Sequence, residues 1–282
     1  MKQTVVVRPL VLALLFAGFA AIPPAGAIAN SGAAATVTCR TFALASSILL
    51  AALPYLFAGA ASACALMRLA PRNRLAPLLA LAAPGCDCSI NGFAGALRDH
   101  NPALAGFALT FSAACGPAAL LATHAVLGNS FVAARIAGGS VAAVITAISW
   151  SVARSGGPSA CAHDRAASTL CDHLDASIRG FLVPAIVAAL LVTLAPDAAR
   201  ALPGAPFAAL AGAVLSPCST ADAVLARVLF VDHHSQAAFV IAAQCVDLRQ
   251  LAMLRRNFGT VRCALAALAG CAGCAVAAAV VR

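Results

Sequence analysis

The sequence predicts an all-α polytopic membrane protein. Hydrophobic residues make up 62% of the 282 positions, charged residues only 10%, and the apolar runs are long and do not alternate. An average soluble domain has about 25% charged residues, so a soluble globular enzyme is excluded. A spanning helix needs about 20 apolar residues, and this length therefore allows about seven to nine spans with short loops.

Composition also excludes other classes. Disorder requires low hydrophobicity and high charge. Basic residues give a net charge of +9, but they flank apolar runs, so we interpret them as topology signals in a lipid bilayer rather than as nucleic-acid contacts. The sequence contains no P-loop, GxSxG or HExxH pattern. We therefore expect neither enzymatic activity nor a cofactor.

The N-terminal segment, residues 1–41, allows two interpretations. Lys2 and Arg8 precede an apolar run from Pro9 to Ile22, which small residues follow. These features fit a cleavable signal, and they also fit an uncleaved first span or signal anchor. Because the rest of the chain is membrane-like, the uncleaved span is favoured.

Eight apolar runs follow, and Pro and Gly interrupt two of them, 75–97 and 203–231. Broken helices at membrane depth survive only where protein or a cavity satisfies the freed backbone groups. Paired broken segments in matching halves indicate a transport site. The eight runs lie near 42–67, 75–97, 103–127, 131–153, 178–196, 203–231, 235–254 and 260–281.

The two broken segments belong to a predicted two-fold internal repeat. Repeats at 42–153 and 178–282 flank a polar Cys/His loop at 154–177, and each unit has three spanning helices plus a Pro/Cys-containing broken or re-entrant segment. Residues 132 or 133 positions apart align: Pro84 with Pro217, Asp99 with Asp232, His100 with His233, and Phe107 with Phe239.

Arginine positions predict the topology. The Arg-containing stretches 68–74, 154–179 and 255–262 are expected on the cytoplasmic side. This holds if the broken segments are re-entrant, and the two units are then inverted relative to each other. The lone Arg135 of the predicted link 128–135 is expected outside.

The first broken segment carries the main candidate site. Cys86 and Cys88 are two residues apart and cannot share a helix face, but on an unwound stretch both can face one cavity. Soft thiolates select soft acceptors such as Cu(I), Zn or arsenic-like centres. Asp87 is an ionisable group in an apolar segment and is a candidate for a coupling proton. The alternative is an interfacial turn in which both cysteines simply pack.

The second broken segment supplies Cys218, Ser219 and Asp222. The hydroxyl either contacts substrate or only satisfies freed backbone groups. Farther along, Cys115 and Cys245 lie in the helices that follow the broken segments. Asp247 and Arg249 also occur there; residues two apart do not face each other on a straight helix, so each is expected to pair across the bundle or to serve transport.

Two further groups of residues have weaker signals. In the polar loop, two Cys-x-His pairs form a possible tetrahedral set for Zn or a soft metal; the alternative is a flexible loop. Gly138, Gly139 and the stretch Cys271-Ala-Gly-Cys274 are expected to let helices approach closely, and redox use of these cysteines is disfavoured. The four possible loop ligands are Cys161, His163, Cys171 and His173.

Over residues 42–282 the chain resembles the predicted permeases related to organoarsenical efflux permeases. The resemblance rests on the Pro-x-Cys-x-Cys segment at 84–88, the Pro-Cys-Ser-Thr segment at 217–220, the helices after them and the Cys/His loop. Asp87 and Ser89 stand where the family usually has Ser and Gly. The resemblance implies a multi-pass transporter of the inner (plasma) membrane that expels thiol-reactive substrates, such as trivalent organoarsenicals, by proton exchange.

The functional hypothesis is proton-coupled efflux of a small soft-metalloid or metal-like substrate. The alternatives are a membrane thiol-disulfide oxidoreductase that uses Cys86 and Cys88, and a structural homologue without transport. The predicted substrate-binding residues are Cys86, Cys88, Cys115, Cys218, Ser219 and Cys245, and the predicted proton-coupling residues are Asp87, Asp222 and Asp247.

Overall fold

The computed structural model describes residues 37–46, 100–153, 204–215, 219 and 222–281, together with isolated positions elsewhere in the chain. Within these ranges all regular secondary structure is helical, which confirms the all-α prediction for them. Residues 37–46 are helical. The other helices are α1 (Pro102–Cys115), α2 (Pro117–Leu127), α3 (Asn129–Val152), α4 (Ala205–Leu215), α5 (Asp222–Leu229), α6 (His233–Cys245), α7 (Leu248–Phe258) and α8 (Thr260–Val280).

Four helical stretches in this part of the chain are long and apolar enough to cross a membrane. They are Pro102–Leu127, Asn129–Val152, His233–Phe258 and Thr260–Val280. Large apolar side chains such as Ile148 and Leu268 are 61% and 67% exposed, as lipid-facing residues are. The chain is therefore a membrane protein with helical candidate spans, as predicted.

Two of these spans are broken near their middle. The 26-residue stretch Pro102–Leu127 divides into α1 and α2 at Gly116, because Pro117 has no N–H to continue the helix. The 26-residue stretch His233–Phe258 divides into α6 and α7 after Cys245. We call these the first break and the second break.

The long helices α3 and α8 run antiparallel. At one end of the bundle the Trp150 indole Nε1 donates to the Arg262 carbonyl at 2.9 Å, so the end of α3 meets the beginning of α8. At the other end Phe131, near the start of α3, packs in one cluster with Val281, which follows α8. We call these the Trp150 end and the Phe131 end.

The two helix pairs that flank the breaks, α1–α2 and α6–α7, also run in opposite directions. The α1–α2 pair begins at the Trp150 end, where Gly106 lies against the Trp150 ring. The α6–α7 pair begins at the Phe131 end, where the rings of Phe131 and His233 are 5.5 Å apart, and finishes with Phe258 4.8 Å from Trp150. The end of α3 and the start of α8 share one end of the bundle. The predicted cytoplasmic stretches 68–74 and 154–179 lie outside the described residues, so their placement stays a prediction.

Helices α3 and α8 cross at a glycine pair. A Cβ on Gly138 would lie 2.6 Å from the Gly273 carbonyl oxygen, and a Cβ on Gly273 would lie 2.6 Å from that of Gly138. Gly139 likewise faces the Cys115 thiol at the first break. The predictions that Gly138, Gly139 and the segment around Gly273 allow close helix packing are confirmed.

Candidate functional site

Arg135 is buried in the bundle and is not a loop charge. Helix α2 ends at Leu127, Gly128 has a φ of 94°, and α3 begins at the very next residue, so the predicted link 128–135 is wrong. Arg135 is the seventh residue of α3 and is 1% exposed. An arginine at this position in a candidate span needs partners that offset its desolvation.

The main partner of Arg135 is Asp222, the first residue of α5. The guanidinium Nη2 lies 2.8 Å from Oδ2 of Asp222, and Nη1 donates to Oδ1 at 3.1 Å. Asp222 is 0% exposed. This two-point contact is the geometry in which an arginine and a carboxylate pair most strongly.

Arg135 also supplies hydrogen bonds to backbone and side-chain groups on both sides of the first break. Its Nε donates to the carbonyl of Ala114, which lies in the last turn of α1 and has no partner further along that helix. Its Nη1 donates at 2.8 Å to the Thr123 hydroxyl of α2, which in turn donates to the Ala119 carbonyl. The guanidinium therefore connects α1, α2 and α5 from its position on α3.

The second break reaches the same ion pair. Gln244 is the penultimate residue of α6, and its Nε2 donates to Oδ2 of Asp222 at 3.0 Å. Gln244 is fully buried. Both breaks thus converge on one buried polar group, which we call the Arg135 cluster: Arg135, Asp222, Gln244, Thr123 and the Ala114 carbonyl.

The Arg135 cluster has an energetic consequence. Two charges taken out of water are tolerable only when they pair closely and their remaining hydrogen-bonding groups are satisfied. Arg135 and Asp222 meet the first condition, and the Ala114 carbonyl, Thr123 and Gln244 contribute to the second. Loss of the charge at either residue therefore leaves the other charge buried and unpaired, which is strongly destabilising.

Three predicted substrate-binding residues lie near this cluster. Cys115 is buried, and its thiol donates to the Arg135 carbonyl at 3.5 Å. Cys245 is buried in the same apolar cluster as Cys115. Ser219, three residues before Asp222, is 1% exposed, and its hydroxyl has no hydrogen-bond partner in the described part of the chain.

Asp247 and Arg249 pair with each other, which corrects the expectation that they cannot. The pairing is possible because Asp247 lies in the second break, before α7, and not on a straight helix. Its Oδ1 accepts from the Arg249 backbone N–H at 2.7 Å, and its Oδ2 lies 3.3 Å from Nη2 of Arg249. Asp247 is thus the N-cap residue of α7.

Sequence reasoning missed Arg135, Thr123 and Gln244 as site residues. A signal existed for Arg135, because an arginine close to an apolar run calls for a buried acidic partner as well as for a topology assignment. The partner itself could not be identified, since Arg135 and Asp222 are 87 positions apart.

The remaining predicted residues lie outside the described part of the chain: Cys86, Asp87, Cys88, Cys218, Cys161, His163, Cys171 and His173. Among the residues that the structure does describe, no group of three His, Cys, Asp or Glu side chains is placed to hold a metal ion. Comparison of the chain with protein-family models, with curated proteins and with solved structures finds no match.

Proposed function

We propose that this protein is an inner-membrane permease that expels a small, soft, thiol-reactive substrate in exchange for protons. The observation that carries the proposal is the convergence of two broken helices on the buried Arg135–Asp222 pair. A structural core gains little from a charged group at this depth, whereas transporters use such groups in substrate and proton pathways.

The helices support an inverted two-fold repeat as the frame of this permease. Each broken pair is 26 residues long, with breaks after its 14th and its 13th residue. A glycine of positive φ follows each pair, Gly128 at 94° and Gly259 at 91°, and a long helix comes next. Gly139 faces Cys115 at the first break as Gly270 faces Cys245 at the second. The first set of helices, α1 to α3, runs in the opposite direction to the second set, α6 to α8.

The short helices support a re-entrant second segment. Helices α4 and α5 have 11 and 8 residues. At about 1.5 Å per residue they are about 16 and 12 Å long, well short of the roughly 30 Å hydrocarbon core. Helix α5 runs from the buried Asp222 toward Val231, which is 72% exposed. It thus leads from the Arg135 cluster to the surface.

Protonation of Asp222 is the proposed coupling step. A proton on its carboxylate removes the charge that neutralises Arg135, and an unpaired buried guanidinium costs several kcal/mol, on the order of 3–5. Among the described residues, the side chains that contact the carboxylate are Arg135 on α3 and Gln244 on α6, and neither supplies a replacement anion. The protonated protein therefore favours a second conformation, and this difference between the two states permits a proton gradient to drive transport.

The proposed substrate contacts are soft donors near this cluster. Cys115 and Cys245 are buried at the two breaks, and the Ser219 hydroxyl is buried three residues before Asp222. Cys86, Cys88 and Cys218 are assigned by the sequence, and Asp87 and Asp247 are its other candidate proton carriers. The efflux direction and the arsenical class rest on the family resemblance.

Cysteine variants test the substrate assignment. We expect everted membrane vesicles to accumulate a trivalent organoarsenical, and collapse of the proton gradient to abolish that accumulation. Cys86→Ser or Cys218→Ser is expected to lower accumulation at least tenfold, because soft acceptors require the thiolates. A loss of about 1.4 kcal/mol of binding free energy is enough for this tenfold effect. Cys271→Ala is the matched control, since Cys271 is exposed. Wild-type accumulation by both serine variants, or no gradient-sensitive accumulation by the wild type, overturns the proposal.

A further inference from the structure

A cavity of about 400 Å³ opens at the Phe131 end of the bundle. Arg227 and His233 bring basic groups to it, and Gln236 adds an amide. The rest of its wall is apolar, with Phe131 and Phe230 among its aromatic members. A half-open pocket of this size, lined by both polar and apolar residues, has room for a small ligand or a lipid head group.

The basic groups of the pocket are available to a ligand. Arg227 is exposed, and its one hydrogen bond within the described residues is from Nη1 to the Val126 carbonyl at 2.6 Å. Four N–H donors of the guanidinium therefore remain. His233 is also exposed, makes an edge contact with Phe131, and can donate an N–H in either protonation state.

The neighbouring acid does not cancel these donors. Asp232 does not line the pocket, and its Oδ1 accepts from the Ser235 backbone N–H at 2.7 Å as the N-cap of α6. The pocket thus has a positive side and an apolar side. Its occupant needs an anionic group joined to an apolar body.

The position of the pocket distinguishes lipids from soluble anions. It lies where α2 ends and where α3 and α6 begin, that is, at the ends of three candidate spans. Val231 at this pocket is 72% exposed. Lipid phosphates lie at this depth, and basic pockets between spanning helices bind anionic head groups.

We propose that this pocket binds the phosphate of an anionic phospholipid. The Arg227 guanidinium and the His233 imidazole bind the phosphate, and the glycerol and first acyl carbons lie against Phe131 and Phe230. This site is separate from the Arg135 cluster, although Phe131 precedes Arg135 by one turn of α3 and Arg227 shares α5 with Asp222. The lipid therefore links α3 to α5 beside the ion pair, whether or not the protein is a proton-coupled permease.

Lipid binding to the purified full-length protein in a neutral detergent tests this site. We expect native mass spectrometry to give phosphatidylglycerol at least about fivefold higher affinity than phosphatidylcholine, and Arg227→Gln to remove that preference. Arg227→Lys keeps the charge and is expected to retain it. Arg256→Gln is the matched control, because Arg256 is exposed near the end of α7, at the Trp150 end.

Three results would overturn the lipid site. The first is equal affinity for the anionic and the zwitterionic lipid. The second is an unchanged preference in an Arg227→Gln variant whose helical circular dichroism matches that of the wild type. The third is binding of glycerol phosphate as tight as that of short-chain phosphatidylglycerol, which would identify a soluble anion as the ligand.

Discussion

Asp222→Asn is expected to lower the free energy of unfolding by about 3–5 kcal/mol. The reason is that Arg135 keeps its positive charge at 1% exposure and loses the one carboxylate that contacts it among the described residues. Asn accepts a hydrogen bond but supplies no charge. The measurement is the unfolding midpoint of the purified protein in detergent, followed by circular dichroism across a denaturing-detergent titration.

A double variant separates the charge from the shape of the site. Arg135→Met combined with Asp222→Leu removes both charges and is expected to recover most of the stability lost by Asp222→Asn, because apolar residues of similar volume can replace a buried ion pair. Asp232→Asn is the matched control, since Asn caps a helix as well as Asp does. If Asp222→Asn were as mild as Asp232→Asn, the ion pair would not be an energetic feature of the fold.

Gly273→Leu is expected to destabilise the bundle by about 3 kcal/mol, at the upper end of the range for overpacked cores. Even its Cβ would lie 2.6 Å from the Gly138 carbonyl oxygen, and backbone atoms cannot move aside as a flexible side chain can. Helices α3 and α8 therefore have to separate. The same unfolding titration, together with gel filtration in detergent, detects the loss of stability and any loss of compactness.

Ala275→Leu controls for the added volume, because Ala275 is exposed on the same helix two residues later. Its unfolding midpoint is expected to stay within about 0.5 kcal/mol of the wild type, as for ordinary surface substitutions. Equal effects of the two leucine variants would mean that α3 and α8 do not cross at Gly138 and Gly273.

The class of the fold could be predicted from the sequence, and so could the division of the apolar run 203–231 into separate helices. Composition alone indicated membrane helices, and the interrupted run 203–231 contains α4, which ends at Leu215, and α5, which begins at Asp222. The break at Gly116 was not predicted, although Gly-Pro inside an apolar run is a recognised signal for one. Hydropathy averages over such a break, because the residues on either side remain apolar.

The candidate site could be predicted only in part. Sequence position indicated Asp222, Ser219, Cys115 and Cys245, and all four are buried. The pairing of Asp222 with Arg135 depends on the packing of α5 against α2 and α6, which no local pattern encodes. Arginine counting instead assigned Arg135 to a loop, because the rule for topology does not distinguish a flanking arginine from a buried one.

The most direct test of the proposed coupling at Asp222 is proton-gradient-driven transport by a variant in which both charges of the ion pair have been removed. Arg135→Gln combined with Asp222→Asn removes both charges and keeps polar side chains at both positions. In everted vesicles this variant is expected to exchange labelled for unlabelled organoarsenical and to lose accumulation driven by the proton gradient. Asp232→Asn, which preserves the N-cap of α6 at an exposed position, is expected to accumulate substrate as the wild type does. Wild-type, gradient-driven accumulation by the neutralised pair would contradict the mechanism.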